Sequence, residues 1–252
     1  MENIFHQNWL VFFNRSNTFK QFPAELIVNI IGKVSQPIFA EIQDENDKLK
    51  NAYKKILQTA IFFVTPILLY IAFFAKPFFV FLLTDKWIEC VDFFRILCFT
   101  GIIYPVHVFN LHIINIKGRS DLNLKLEIIK GVLIVFTLIT SLQFGVYGLL
   151  YGSLVISFLS IFINSYYSKI YINYPISEQI FDLRLFFITP IITTAFAFLI
   201  DQYFFVRFTD FYRLLISFII SSLLYISVSF FTKPYVLTEL LLLKKRHYDK
   251  CN

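Results

Sequence analysis

In a chain this apolar, the residues able to do chemistry are the few polar ones set inside long hydrophobic stretches. FPAELIVNIIGKVSQPIFAEIQ carries Glu25, Asn29 and Lys33 four apart, a spacing that lines one face of a helix. An ionisable group at membrane depth costs at least about 2.5 kcal/mol and normally faces a bundle interior or a water-filled cavity. Two readings meet that cost: Lys33 points into a lumen, or a Glu25–Asn29–Lys33 ladder joins this helix to a neighbour. DLNLKLEIIKGVLIVF places Asn123, Glu127 and Lys130 at i, i+4 and i+7. Lys130 either snorkels to the headgroups or stands as a cation at the inner mouth of a cavity, where it attracts an anion. A third stretch holds Arg95 near one end and His107, Asn110, His112 and Asn115 toward the other. Asn110 either hydrogen-bonds across helices or contacts a hydroxyl of a bound ligand.

Other chemistries find no residues to carry them. His107 and His112 are five apart and do not share a face as an i, i+4 zinc pair does, so neither a metal site nor a cofactor is expected. Cys90, Cys98 and Cys251 form no CxxC pair or disulfide framework. There is no phosphate-cradling glycine loop, GxSxG, HExxH or DxD pair. The acidic run EIQDENDKLKNAYKK alternates into lysines and reads as a solvated loop. The expected protein is therefore not an enzyme and has no nucleic-acid partner.

The elements that must position the polar residues follow from composition. Of 252 residues, 57% are hydrophobic and 16% charged, with 33 Phe and seven Gly, and mean hydropathy is +0.66. Too little polar surface remains to cover a core in water, so lipid is the expected solvent for the outside. A window of about 19 residues finds seven apolar stretches of spanning length. They cover 22–40, 56–83, 92–116, 122–141, 146–168, 183–201 and 212–231. The second contains Pro66 and Lys76-Pro77 and is expected to kink or leave the membrane after Ala75. The expected fold is all-α, a polytopic membrane bundle of about seven transmembrane helices over 22–231, preceded by an outer segment 1–21 and followed by a basic tail 232–252.

Connector charges orient this bundle. Lys48, Lys50, Lys54, Lys55, Lys117, Arg119, Lys125, Lys169, Arg184, Lys233, Lys244, Lys245, Arg246 and Lys250 fall on one side, fourteen in all. Arg15, Lys20, Lys86, Arg207 and Arg213, five in all, fall on the other. The positive-inside rule puts the first side, and the C-terminus, in the cytoplasm. Trp9 and Trp87 then fall near the outer interface. MENIFHQNWL has no basic n-region and no cleavage site, so an outside start is expected without a leader.

The order of features resembles a known family. NRSNTFKQFPAELIVNIIGKVSQPIFAEIQDENDKLKNAYKKIL, then LTDKWIECVDFFRILCFTGIIYPVHVFNLHIINIKGRSDLNLKLEIIK, then QFGVYGLLYGSLV are similar to successive segments of the Wzx-like polysaccharide and lipopolysaccharide flippases. This family shares a superfamily with the multidrug and toxin extruders. The resemblance covers about residues 11–170 and rests on Asn14, Arg15, Pro23, Lys33, Pro37, Lys86, Trp87, Arg95, Asn110, Gly118, Arg119, Asp121, Lys125 and Lys130. Ser16, Ser120 and Phe12-Phe13 depart from the usual Ala, Pro and Tyr-Tyr.

The resemblance implies two lobes of helices around a central cavity that carry an undecaprenyl-pyrophosphate-linked oligosaccharide between leaflets by alternating access. It implies that this chain matches only the second lobe, so that it works with a first lobe, carried either by the same longer protein or by a separate chain, in the bacterial inner membrane. Lys33, Arg95 and Lys130 are then the candidate cations, and Asn29 and Asn110 the candidate sugar contacts. Membrane lipids and the lipid-linked oligosaccharide are the expected partners. The competing readings are a drug or cation extruder, which needs carboxylates buried at midplane, a glycan polymerase or ligase, which needs substantial outer loops, and a non-transporting membrane interaction protein.

Overall fold

The computed structural model describes the backbone of residues 7–232 and the side chains of residues 11–231. The stretch from Lys233 onward, expected as a basic tail, and the side chain of Trp9 lie outside the described residues. Eight α-helices follow one another: α1 (Gln7–Glu41), α2 (Asn46–Phe73), α3 (Ala75–Leu83), α4 (Cys90–Ile116), α5 (Ser120–Leu142), α6 (Gly145–Ile172), α7 (Ile176–Ile200) and α8 (Asp210–Thr232). A 3-10 turn, Asp85–Trp87, precedes α4, and a π-helical stretch, Asp201–Phe205, extends α7. No strand occurs among the described residues, and the all-helical membrane bundle expected from composition is what forms.

Among the described residues, five helices are long and apolar enough to cross a membrane: α2, α4, α6, α7 with its π extension, and α8. The other two long helices described, α1 and α5, span 35 and 23 residues, so polarity and not length sets them apart. α1 holds Arg15, Lys20, Glu25 and Lys33, and α5 holds Asp121, Lys125, Glu127 and Lys130. They are the two helices that carry Lys33 and Lys130.

Two boundaries differ from expectation for physical reasons. α1 starts at Gln7 and not at 22, because the polar residues of its first turns dilute a hydropathy average while Phe12 and Phe19 pack inward. The expected break near Ala75 is a separation of α2 from α3 at Phe74. Pro77 falls in the first turn of α3, where its missing N–H leaves no helical bond unmade.

α4 is the hub. It packs against α1, α2, α5 and α6, while α7 packs against α2 and α8. One core cluster gathers Val28, Phe39, Tyr53, Leu57, Phe109 and Phe186 from α1, α2, α4 and α7. Outward, Val132, Phe136 and Ile139 of α5 and Phe158 and Phe162 of α6 are exposed, as lipid-facing residues must be.

The corner between α4 and α5 shows how the turn chemistry works. Gly118 takes φ +68°, a left-handed conformation that costs glycine little. The amide of Arg119 then donates to Ile114 O at 3.1 Å and that of Lys117 to Ile113 O at 3.1 Å, closing the helix end. Arg119 pairs through Nε and Nη2 with both Asp121 oxygens at 2.9 and 3.0 Å. That pairing holds the Asp121 carboxyl below its usual range. Lys117 Nζ donates to Gln43 O and, at 2.8 Å, to Asn46 Oδ1, stapling this corner to the α1–α2 turn.

Two glycines should respond oppositely to alanine. Gly118→Ala is expected to destabilise by about 1 kcal/mol through its backbone conformation alone. Gly131→Ala, mid-helix with open space around its would-be Cβ, should stabilise by about 0.5–1 kcal/mol. Thermal unfolding of the purified chain in lipid nanodiscs checks both signs.

Candidate functional site

Polar residues run along α1 in an i, i+4 ladder, but not the one expected. Asn17 Nδ2 donates to Gln21 Oε1 at 3.3 Å, and Gln21 Nε2 donates to Glu25. Glu25 is therefore engaged from its N-terminal side, and the expected Glu25–Asn29–Lys33 ladder does not form. Asn29 and Lys33 continue the stripe as exposed residues, together with Asn14, Thr18 and Gln36. Among the described residues Lys33 makes no ion pair.

Lys20, expected in an outer connector, instead lies between α1 and α4. Its ammonium donates to Thr100 Oγ1 at 3.2 Å, while Thr100 Oγ1 donates to Leu97 O at 2.7 Å. The stem crosses α4 at Gly101, where an added Cβ would stand 2.8 Å from Lys20 Cδ and from Leu68 Cδ1. Thr100 is ten residues into α4, about 15 Å along the axis at 1.5 Å per residue. The Lys20 side chain thus sits near mid-depth of α4.

The remaining candidates separate. Asn110 is fully buried and committed to a knot among α4, α6 and α7. Its Nδ2 donates to Val106 O at 2.8 Å and reaches Gln179 Oε1 at 3.2 Å and Ser165 Oγ at 3.3 Å. Its Oδ1 accepts from Ser168 Oγ at 2.5 Å and Gln179 Nε2 at 3.3 Å. Asn110 is therefore a cross-helix hydrogen-bonding residue with no amide atom left for a ligand. Arg95 lies near the start of α4, bonded to Ala72 O at 3.4 Å and paired with Asp92 at 3.5 Å, apart from the other cations. Lys130 pairs with Glu127 one turn away, and its side chain is only 13% exposed. It therefore does not stand free. On α4, His107 Nδ1 lies 3.4 Å from Asn164 Nδ2 of α6.

The structure therefore brings together His107 and Asn164 between α4 and α6, and Lys20 and Thr100 between α1 and α4. Lys20 and Asn164 were missed by sequence reasoning. A lone Asn inside the apolar α6 was the available signal for the second, and for Lys20 there was none, because its partner is 80 residues away. Asp201 was also missed: it is fully buried, held by Arg213 Nη2 at 2.5 Å and by Ser217 Oγ at 3.1 Å.

At the end of the bundle that holds the α4–α5 corner, ion pairs tie α2 to α7. Lys50 meets Glu178 at 2.7 Å, and Lys54 meets Asp182 at 2.8 Å. Tyr174 donates its hydroxyl to Asp182 at 2.8 Å, and burial together with that carboxylate pushes its phenol well above the usual value. Three apolar clefts of about 300, 310 and 320 Å³ open along the helix sides, the last between α4, α6 and α7 at Ile102, Ile103, Phe162 and Phe187.

An all-helical bundle with five candidate spans and polar residues gathered at depth around one central helix defines a multi-pass membrane protein. Residues 3–92 match the sequence profile of the family described as polysaccharide biosynthesis protein. The chain is similar to the lipopolysaccharide biosynthesis protein WzxC of Escherichia coli (strain K12), 26% identical over 132 residues that make up 52% of this chain and 27% of that protein. It is also similar to an uncharacterized membrane protein in the cps region of Klebsiella pneumoniae, 25% identical over 134 residues, 53% of this chain and 28% of that one. The matched stretch thus spans just over a quarter of these relatives' length. No solved structure matches the chain. The comparisons bear out the resemblance to the Wzx-like polysaccharide flippases over part of the chain.

Asn110→Ala leaves Ser168 and Gln179 without their partner and is expected to destabilise the bundle by about 1–3 kcal/mol. Lys33→Ala, at an exposed position, should change stability by less than about 0.5 kcal/mol. Thermal unfolding in nanodiscs separates the two.

Proposed function

We propose that this chain supplies one lobe of helices to a transporter that moves polyprenyl-pyrophosphate-linked oligosaccharide across the bacterial inner membrane, for lipopolysaccharide or capsular polysaccharide. The observation that carries this reading is the exposed polar stripe of α1. Asn14, Thr18, Asn29, Lys33 and Gln36 are exposed on a helix of a membrane bundle. Thr18 donates within the helix to Asn14 O at 2.9 Å, but hydrocarbon satisfies none of Asn29, Lys33 and Gln36, so this face calls for a water-filled cavity or a second set of helices. A pyrophosphate and its sugars cannot cross hydrocarbon unaided, and a cavity floored by α1 would supply Lys33 as a cation and Asn29 as a hydrogen-bonding group.

The second lobe is the part this chain fits, and the first lobe belongs either to the same longer polypeptide or to a separate chain. The excess of Lys and Arg on the α1–α2, α4–α5 and α6–α7 connections supports a cytoplasmic position for that end of the bundle, and with it for the C-terminus.

A cation extruder of the same superfamily needs a free carboxylate at depth. Asp201 is buried, but Arg213 and Ser217 occupy its oxygens, and Glu25 is engaged by Gln21. The flippase reading is the better supported.

Reconstituted alone in vesicles, the chain should not move a fluorescent lipid-linked sugar between leaflets; robust transport by the chain alone would overturn the single-lobe reading. In cells whose polysaccharide assembly depends on the complete transporter, Lys33→Ala should cut surface polysaccharide at least about tenfold with normal expression, the scale of one lost charged contact.

A further inference from the structure

Six buried side-chain polar atoms have no hydrogen-bond partner among the described residues, and four of them lie on α4, α5 or α6: His107 Nε2, His112 Nδ1, Asn123 Oδ1 and Asn164 Oδ1. His107 and Asn164 are joined. Asn164 is fully buried, and its Nδ2 lies 3.4 Å from His107 Nδ1. A side-chain amide nitrogen only donates, so Nδ1 is the acceptor and the ring proton of neutral His107 sits on Nε2. The pair therefore offers one buried donor, Nε2–H, and one buried acceptor, Asn164 Oδ1, from two different helices.

Lys130 of α5 is only 13% exposed and pairs with Glu127. Its charge is offset there, so the His107–Asn164 pair does not select an anion. What satisfies it is a group that accepts from an N–H and donates to a carbonyl oxygen at once, which is the chemistry of a hydroxyl. His107, Lys130 and Asn164 stand nine, ten and eight residues from the ends of α4, α5 and α6 at one end of the bundle. That is about 12–15 Å along the axis at 1.5 Å per residue, beyond the headgroups. Acyl and prenyl chains carry no hydroxyl to that depth.

We propose that His107 and Asn164 form a binding site for a saccharide hydroxyl inside this lobe, between α4 and α6. The site rests on the transport reading above and refines it: the pyrophosphate and the sugar are recognised at different places, the first by exposed cations such as Lys33, the second by this neutral cluster. Water has the same donor and acceptor chemistry, but it would fill the site without regard to the sugar.

The test uses the purified chain in lipid nanodiscs with two probes, polyprenyl pyrophosphate and polyprenyl-pyrophosphoryl-N-acetylglucosamine, and measures binding by thermophoresis. The sugar-bearing lipid should bind about tenfold tighter, or about 1.4 kcal/mol. His107→Phe and Asn164→Leu should each reduce that preference to less than about twofold while leaving affinity for the sugar-free lipid unchanged. Because either variant can fail to fold, histidine ¹⁵N spectra of the unaltered chain provide a second readout. The Nε2 resonance of His107 should move on adding the sugar-bearing lipid and stay in place with the sugar-free one. A preference retained in both variants, or an Nε2 resonance indifferent to the sugar, overturns this site alone. Binding of neither lipid by the unaltered chain overturns the transport reading and the site with it.

Discussion

Hydrocarbon cannot form hydrogen bonds, and that single constraint sorts every polar residue of this bundle. Those met by another helix become the fasteners of the fold. Asn110 is fixed by Ser165, Ser168 and Gln179, Lys20 by Thr100, and Asp201 by Arg213 and Ser217. Those left unmet are the residues for which a ligand or a neighbour has to be found: Asn29 and Lys33 on the exposed side of α1, and His107 and Asn164 within the α4–α6 contact. Chemical type does not distinguish the two groups. Asn110 and Asn164 are the same residue, both fully buried, and only the bonds made by the amide oxygen separate a fastener from a candidate site.

The same constraint explains what was legible in the sequence. Apolar stretches of spanning length must be helices, so α2, α4, α6, α7 and α8 were readable from hydropathy and their ends fell within a few residues, except that α2 and α7 begin earlier. The corner at Gly118 was readable as a motif, and its cause is the left-handed φ that glycine tolerates. Periodicity, however, reports which residues share a face, not which helix that face meets. Glu25, Asn29 and Lys33 do share one, yet Glu25 is bonded to Gln21 and Lys33 to nothing described. Lys20 and Thr100 are 80 residues apart, and Asn164 and His107 are 57 apart. Such pairs leave no trace in the spacing of either helix.

Several of the residues that carry the family resemblance build corners. Arg15 lies over the Trp87 ring at 5.7 Å, and Trp87 meets Phe12 edge-on, which joins the first turns of α1 to the entry of α4. Arg119 and Asp121 clasp each other at the opposite end of α4, where Lys117 ties down the α1–α2 turn. A resemblance resting on such positions speaks to how α1 and α4 are set beside each other. It says less about the group carried, because the unmatched polar atoms of His107 and Asn164 are not among the motif residues.

Alternating access demands parts that move as units, and the fastening of this bundle makes it one. At one end, Lys50–Glu178 and Lys54–Asp182 join α2 to α7, and Lys117 joins α4 to the α1–α2 turn. At the other, aromatic contacts among Phe19, Phe78, Phe79 and Phe94 lock α1, α3 and α4 together, and Asp201–Arg213 fixes α7 to α8. Between them, the Asn110 knot joins α4, α6 and α7 near the core. Exposed ion pairs such as those at the first end contribute little singly, but packing and buried hydrogen bonds run the length of the bundle. Relative motion is therefore easiest at the exposed stripe of α1, which carries Asn29 and Lys33 and to which none of these fasteners is tied. On the transport reading proposed above, a lobe with one unfastened polar face suits a rocking transporter, and that reading puts the moving boundary beside those two residues rather than through the His107–Asn164 contact, which would travel with the lobe intact.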